Sequence, residues 1–122
     1  MRIILEAVDP KDMRLEPYRE TGCGDWAFST KTGDLHIKIA GPDIFDHDDT
    51  FLIALHELIE AKLCFNAGIT QGRVDAFDKA FDGEGEPGDD PAAPYQRQHR
   101  AAMLIEHQMA IFLGKWDYGS VG

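Results

Sequence analysis

His56, Glu57 and Glu60 stand together in the run Ala54-Leu55-His56-Glu57-Leu58-Ile59-Glu60-Ala61, a histidine and a carboxylate four residues apart with a second carboxylate beside the histidine. In a helix, residues four apart lie one above the other on one face, so His56 and Glu60 would point the same way, suiting two ligands of one metal ion. Leu52, Ile53, Leu63 and Cys64 flank the pair. An ionised carboxylate among such neighbours costs several kcal/mol unless it is paired or bound to a metal. Something must therefore face Glu60, and the second half of the chain supplies candidates. Tyr95, Ala102, Met103, Ala110 and Leu113 form an apolar stripe, and His99 and Glu106, seven residues or almost two turns apart, fall on that same stripe. Two helices that each carry a histidine and a carboxylate on a face wanting burial are explained together by mutual satisfaction or by a shared metal.

The chemistry that needs these residues is metal-assisted hydrolysis. Catalytic zinc takes three protein ligands, often two histidines and a carboxylate, and keeps a fourth position for water. In the motif H-E-x-x-H the glutamate after the first histidine is the general base. Here Glu60 stands where the second histidine would be, and His99 as third ligand restores a set of two histidines and one glutamate. Glu57 would take the proton from the activated water and pass it to the leaving group. Glu106 would orient His99 through its free ring nitrogen or serve as a ligand itself. Tyr95 or His107 would stabilise a developing oxyanion. Zinc is the expected ion, with Mg²⁺ or Mn²⁺ as the alternative if carboxylates dominate the site.

These side chains need helices to position them. Asp48, Asp49 and Thr50 supply N-cap candidates for a helix over Phe51–Phe65, and Asn66-Ala67-Gly68 supplies its stop. Thr70 caps a short helix with Val74, Phe77 and Phe81 at spacings of three and four. Asp82 to Asp90 is a flexible acidic segment without core residues. Asp90 as N-cap with Pro91 in the first position starts a last helix running to about Leu113, before Gly114. Ahead of these, residues 2–8 read as a strand. Trp26 and Phe28, then Leu35, Ile37 and Ile39, alternate with polar neighbours around Thr32-Gly33-Asp34 as a hairpin with one buried face, closed by Gly41-Pro42. The expected fold is α+β, a small N-terminal β-sheet or hairpin packed on three helices, in a single domain over 1–122.

Composition narrows the partners. The chain has 122 residues, 43% of them hydrophobic, and a formal net charge of −10. That size and apolar content suit one globular domain. The negative charge argues against nucleic acid or an anionic membrane as the main partner. No signal peptide or membrane-spanning run is evident, and Cys23 and Cys64 read as free thiols of a cytoplasmic protein. A competing reading makes Glu57 solvent-exposed and His56, Glu60 and His99 a hydrogen-bonded core network without chemistry. Asp75, Asp78 and Asp82 read as solvated surface, as do His36, Lys38 and His47, while Trp26, Trp116 and the phenylalanines read as core.

A β part ending in an edge hairpin, then a helix with His56-Glu57-x-x-Glu60 and a second helix with a further ligand, resembles the minimal zincin (small gluzincin-like) metallopeptidases. The resemblance covers most of the chain in order of elements, and in motif His56, Glu57 and His99. It implies a zinc peptidase whose hairpin Trp26–Ala40 holds the edge strand for extended substrate. The chain is also similar to small uncharacterised phage and bacterial proteins with a His-Glu-x-x-Glu-Ala helix and a Gly-Asp-Asp-Pro-x-x-Pro-Tyr segment, here Gly88 to Tyr95. Such a resemblance leaves room for a non-enzymatic accessory protein with a structural metal. Glu57-x-x-Glu60 facing Glu106 resembles the all-α nucleotide pyrophosphatases, and His56-Glu57 near Glu60-Ala61 resembles the HD-domain phosphohydrolases. These imply Mg²⁺-dependent phosphate chemistry on an all-helical chain.

Overall fold

The computed structural model describes residues 1–16, 18, 24–41 and 45–118. Cys23 and Pro42, read above as a free thiol and as the end of the β part, lie outside the described residues. The described residues form an α+β fold of three strands and three helices: β1 (Ile3–Val8), β2 (Gly24–Phe28), β3 (Leu35–Ala40), α1 (His47–Asn66), α2 (Gln71–Ala80) and α3 (Gln96–Phe112). None of these helices is long and apolar enough to cross a membrane.

The sheet has the order β1-β3-β2, with β3 parallel to β1 and antiparallel to β2. The β2–β3 hairpin turns where expected. Gly33 takes a φ of 75°, and its amide reaches back to the Ser29 carbonyl at 2.9 Å. Alternation along β3 sends Leu35, Ile37 and Ile39 into the core and leaves His36 and Lys38 half-buried on the other face. Ile3 and Leu5 lie on the core face beside Leu35 and Ile37 but stay about half exposed, because no described helix covers β1.

α1 lies between the sheet and α3. Its N-cap is Asp46, which accepts from the Asp49 amide at 2.7 Å, so the helix begins a turn earlier than Asp48–Thr50 suggested. Lys115 ties the C-terminal segment to that end through Asp46 and Asp49. Leu52, Ala61 and Cys64 are fully buried, each large side chain contributing about 1.5–3 kcal/mol. Thr70 caps α2 through the Arg73 amide, as expected.

α3 departs from expectation at its start. Asp90 does cap, accepting from the Ala92 amide at 2.8 Å, but what it caps is a turn. Pro94 lacks an amide and disfavours helical φ/ψ at Ala93, so the helix begins only at Gln96. Trp116 (77% exposed), Phe112 and Phe65 lie on the surface, correcting their assignment to the core. Asp78 is buried rather than solvated, and accepts from the Tyr18 and Tyr95 hydroxyls. Asp75 pairs with Arg14, which also grips Asp25 on β2.

Candidate metal centre

α1 and α3 turn their polar-in-apolar faces toward each other. Buried positions on α3 are His99, Ala102, Glu106 and Ala110, a stripe of spacing three and four. On α1 the matching stripe holds Leu52, His56, Glu60 and Cys64. Ala102 and Ala110 on that α3 stripe are fully or nearly fully buried, and their small size lets the helix backbones approach closely enough for the four polar side chains to meet.

Three ligand-type atoms form a triangle. His56 Nε2 lies 3.1 Å from Glu60 Oε2, His99 Nδ1 lies 3.0 Å from the same oxygen, and the two ring nitrogens are 3.2 Å apart. A tetrahedral zinc ion with ligands at about 2.0–2.1 Å separates them by about 3.3 Å. The triangle therefore fits one face of such a tetrahedron, and these residues would hold the ion. His56, Glu60 and His99 are only 8%, 6% and 5% exposed.

The surroundings fix which atoms face inward. His56 Nδ1 lies 2.7 Å from Glu106 Oε1, so its proton sits on Nδ1 and its Nε2 lone pair points into the triangle. Glu106 accepts on its other oxygen from the Tyr118 hydroxyl. The free oxygen of Glu60 accepts from Trp26 Nε1 at 3.1 Å. With one inward proton at most, on His99 Nδ1, the two remaining acceptors, His56 Nε2 and Glu60 Oε2, share a single donor, and a further proton or a cation would relieve the crowding.

Titration behaviour follows from this crowding. Burial works to lower the His56 pKa, but the Glu106 and Glu60 hydrogen bonds and nearby carboxylate charge prevail and raise it to about 11. His99 is raised to about 9 against the same burial, chiefly by Glu60 and Glu86. Burial alone would push Glu60 up; the two histidines hold it below the ordinary carboxylate value. Burial first, then the charge of Glu60, drives Glu57 well upward.

Glu57 lines a cavity of about 530 Å³ that opens on the triangle, beside Trp26, Tyr95, His107 and Tyr118. Its partly buried side chain packs against Gly24, where a Cβ would come within 2.7 Å of Glu57 Cγ. The glycine makes room for Glu57, which is thus not the solvent-exposed residue of the competing reading.

Some expected partnerships are exchanged. Glu106 meets His56 and not His99, because seven residues span about 10 Å along a helix, too far for one side chain to reach the other. The Tyr95 hydroxyl donates to Asp78, so its proton is committed and it is no oxyanion donor in this arrangement. His107 lines the cavity with its ring edge-on to Tyr118.

Sequence reasoning missed Glu86 and Asp89. The segment read as a flexible acidic stretch folds through a 3-10 turn, Pro87–Asp89, onto the His99 ring. Glu86 Oε2 and Asp89 Oδ1 come within 3.1 and 3.2 Å of His99 Nε2. Gly88 is buried on the ring, where any Cβ would sit 2.5 Å from His99 Cγ. Tyr118 and the Trp26 indole were likewise missed as anchors of Glu106 and Glu60. Comparison with family models, with curated proteins and with solved structures finds no match for this chain.

Proposed function

We propose that this chain is a zinc-dependent hydrolase of zincin-like character, acting on peptide bonds, with the ion held by His56, Glu60 and His99. One observation carries this reading: three buried lone-pair donors meet in a triangle with edges of 3.0–3.2 Å beside an open cavity. Two of the three donors are imidazole nitrogens, which favours zinc over magnesium and so peptidase chemistry over the Mg²⁺-dependent phosphohydrolase alternative. Zinc held there would supply Lewis acidity and make water at the site easier to deprotonate near neutral pH.

The chain's own residues supply the rest. Glu57 reaches the same cavity, which places a carboxylate beside the triangle where a general base is needed. It accepts the proton of the attacking water and returns it to the departing nitrogen. Glu106, backed by Tyr118, fixes the His56 ring, and Trp26 fixes Glu60. β2 is an edge strand whose Gly24 end borders the cavity. Further along, the Trp26 carbonyl accepts from Arg14 and the Phe28 amide donates to Gln71. An extended substrate is therefore confined to the Gly24 end.

The test is Glu57→Gln in zinc-loaded protein assayed on a mixed peptide library. Retained zinc with turnover reduced on the order of 10²–10⁴-fold is expected. Equal turnover in the variant, or hydrolysis of nucleotides but of no peptide, would overturn the assignment.

A further inference from the structure

We propose that Glu86, Asp89 and the Nε2 atom of His99 form a second, outer divalent-cation site, back to back with the inner triangle across the His99 ring. The ligand atoms of these three residues lie within 4.8 Å of one another. His99 Nε2 is 3.1 Å from Glu86 and 3.2 Å from Asp89, close to the roughly 3.0 Å edge of an octahedral shell with ligands near 2.1 Å. The carboxylates alone would be ordinary acidic surface. The independent observation is His99 itself. Its side chain is 6% exposed, and among the described residues Nε2 is a buried polar atom with no hydrogen-bond partner. Both carboxylate oxygens come within hydrogen-bond distance of Nε2, yet neither is a hydrogen-bond partner to it. Nε2 is thus left unsatisfied, and a cation drawing on all three atoms would satisfy it.

The surroundings suit an exchangeable ion. Glu86 and Asp89 are 59% and 51% exposed, so water can complete the shell while His99 stays in the protein. Gly88 presses the turn onto the ring and holds the two carboxylates to it. Two hard oxygens with one imidazole suit zinc, cobalt or manganese.

The two sites share the single ring proton of neutral His99. With the inner site empty, the ring proton of neutral His99 sits on Nδ1, 3.0 Å from Glu60, and the Nε2 lone pair is free for an outer ion. With the inner site filled, that proton moves to Nε2, and an outer ion must displace it to solvent to leave a bridging imidazolate. The outer ion consequently binds more weakly once the inner one is in place.

Zinc alone is the probe, counted per chain by elemental analysis after equilibrium dialysis at saturating free zinc. The wild type should take up two ions, Glu86→Gln/Asp89→Asn one, His56→Gln/Glu60→Gln one, and the fourfold variant none. If the wild type and Glu86→Gln/Asp89→Asn both hold a single ion, the outer site is overturned, and any weaker binding in that variant means the loop only orients His99. Should the inner variant fail to fold, the wild type against Glu86→Gln/Asp89→Asn decides the matter. If the inner substitutions leave the count unchanged while the outer ones lower it, the inner site fails and the outer one stands.

Discussion

Replacing Gly88 with alanine tests whether the acidic turn is part of the metal centre. The added Cβ would lie 2.5, 2.6 and 2.9 Å from Cγ, Nδ1 and Cδ2 of His99, roughly 1 Å short of ordinary contact. Either the ring or the turn must move. The ring is pinned by Glu60 and His56, and a tolerance of about 0.2 Å in ligand position leaves little slack on that side. Overpacking of this kind costs about 1–3 kcal/mol. If half of that falls on His99, zinc affinity drops roughly two- to twelvefold, since about 1.4 kcal/mol is a factor of ten. Chelator competition gives the affinity, and thermal unfolding with and without zinc gives the stability. Gly72→Ala is the control: nothing lies within 4 Å of a Cβ there, and a helical glycine replaced by alanine gains about 0.5–1 kcal/mol. Wild-type affinity and stability in Gly88→Ala would refute the seating of the turn on His99.

Four other outcomes are expected. Glu106→Ala leaves His56 Nδ1 without its carboxylate and should lower zinc affinity about 10–100-fold, measured by the same competition. Gly24→Ala places a Cβ 2.7 Å from Glu57 Cγ and 2.8 Å from Ile53 Cγ2; turnover should fall on the order of 10²-fold with zinc content unchanged. His56 and His99 have folded pKa values of about 11 and about 9, above the ordinary 6.5. Their stabilisation of metal-free protein is therefore complete below about pH 6.5 and lost as pH rises through 9 and then 11, whereas zinc binding strengthens on deprotonation; denaturant titrations of both forms across this range check the opposite trends. Leu52→Ala, at a fully buried position, should cost about 2–5 kcal/mol by denaturant unfolding.

Much of the frame was legible because it rests on local chemistry. Thr70 as a cap, Gly33 and Gly68 at positive φ, and the alternation of Leu35, Ile37 and Ile39 are decided by nearest neighbours. The seven-residue spacing of His99 and Glu106 likewise placed both on one buried stripe. What could not be read was the offset between helices. Which histidine meets Glu106 depends on how far α3 slides along α1, and no single segment encodes that. Pro94 was visible but outweighed by the Asp90-Pro91 start signal, so the helix was begun five residues early. Glu86 and Asp89 sit among acidic neighbours of the same composition as any solvated loop. Only the small volume of Gly88 beneath His99 separates them from one, and that is a tertiary fact. Asp78 was misjudged for a related reason: its partners Tyr18 and Tyr95 come from distant parts of the chain.

The presence of the inner ion is tested most directly by zinc content after purification without added metal or affinity tag, followed by gel filtration, for the wild type, His56→Ala and His99→Ala. One tightly held zinc per chain in the wild type, absent from both variants while their circular dichroism stays native-like, is the expected result. No zinc retained by the wild type, and none taken up on titration, would contradict a metal centre between the two helices and leave His56, Glu60, His99 and Glu106 as a proton-filled core network.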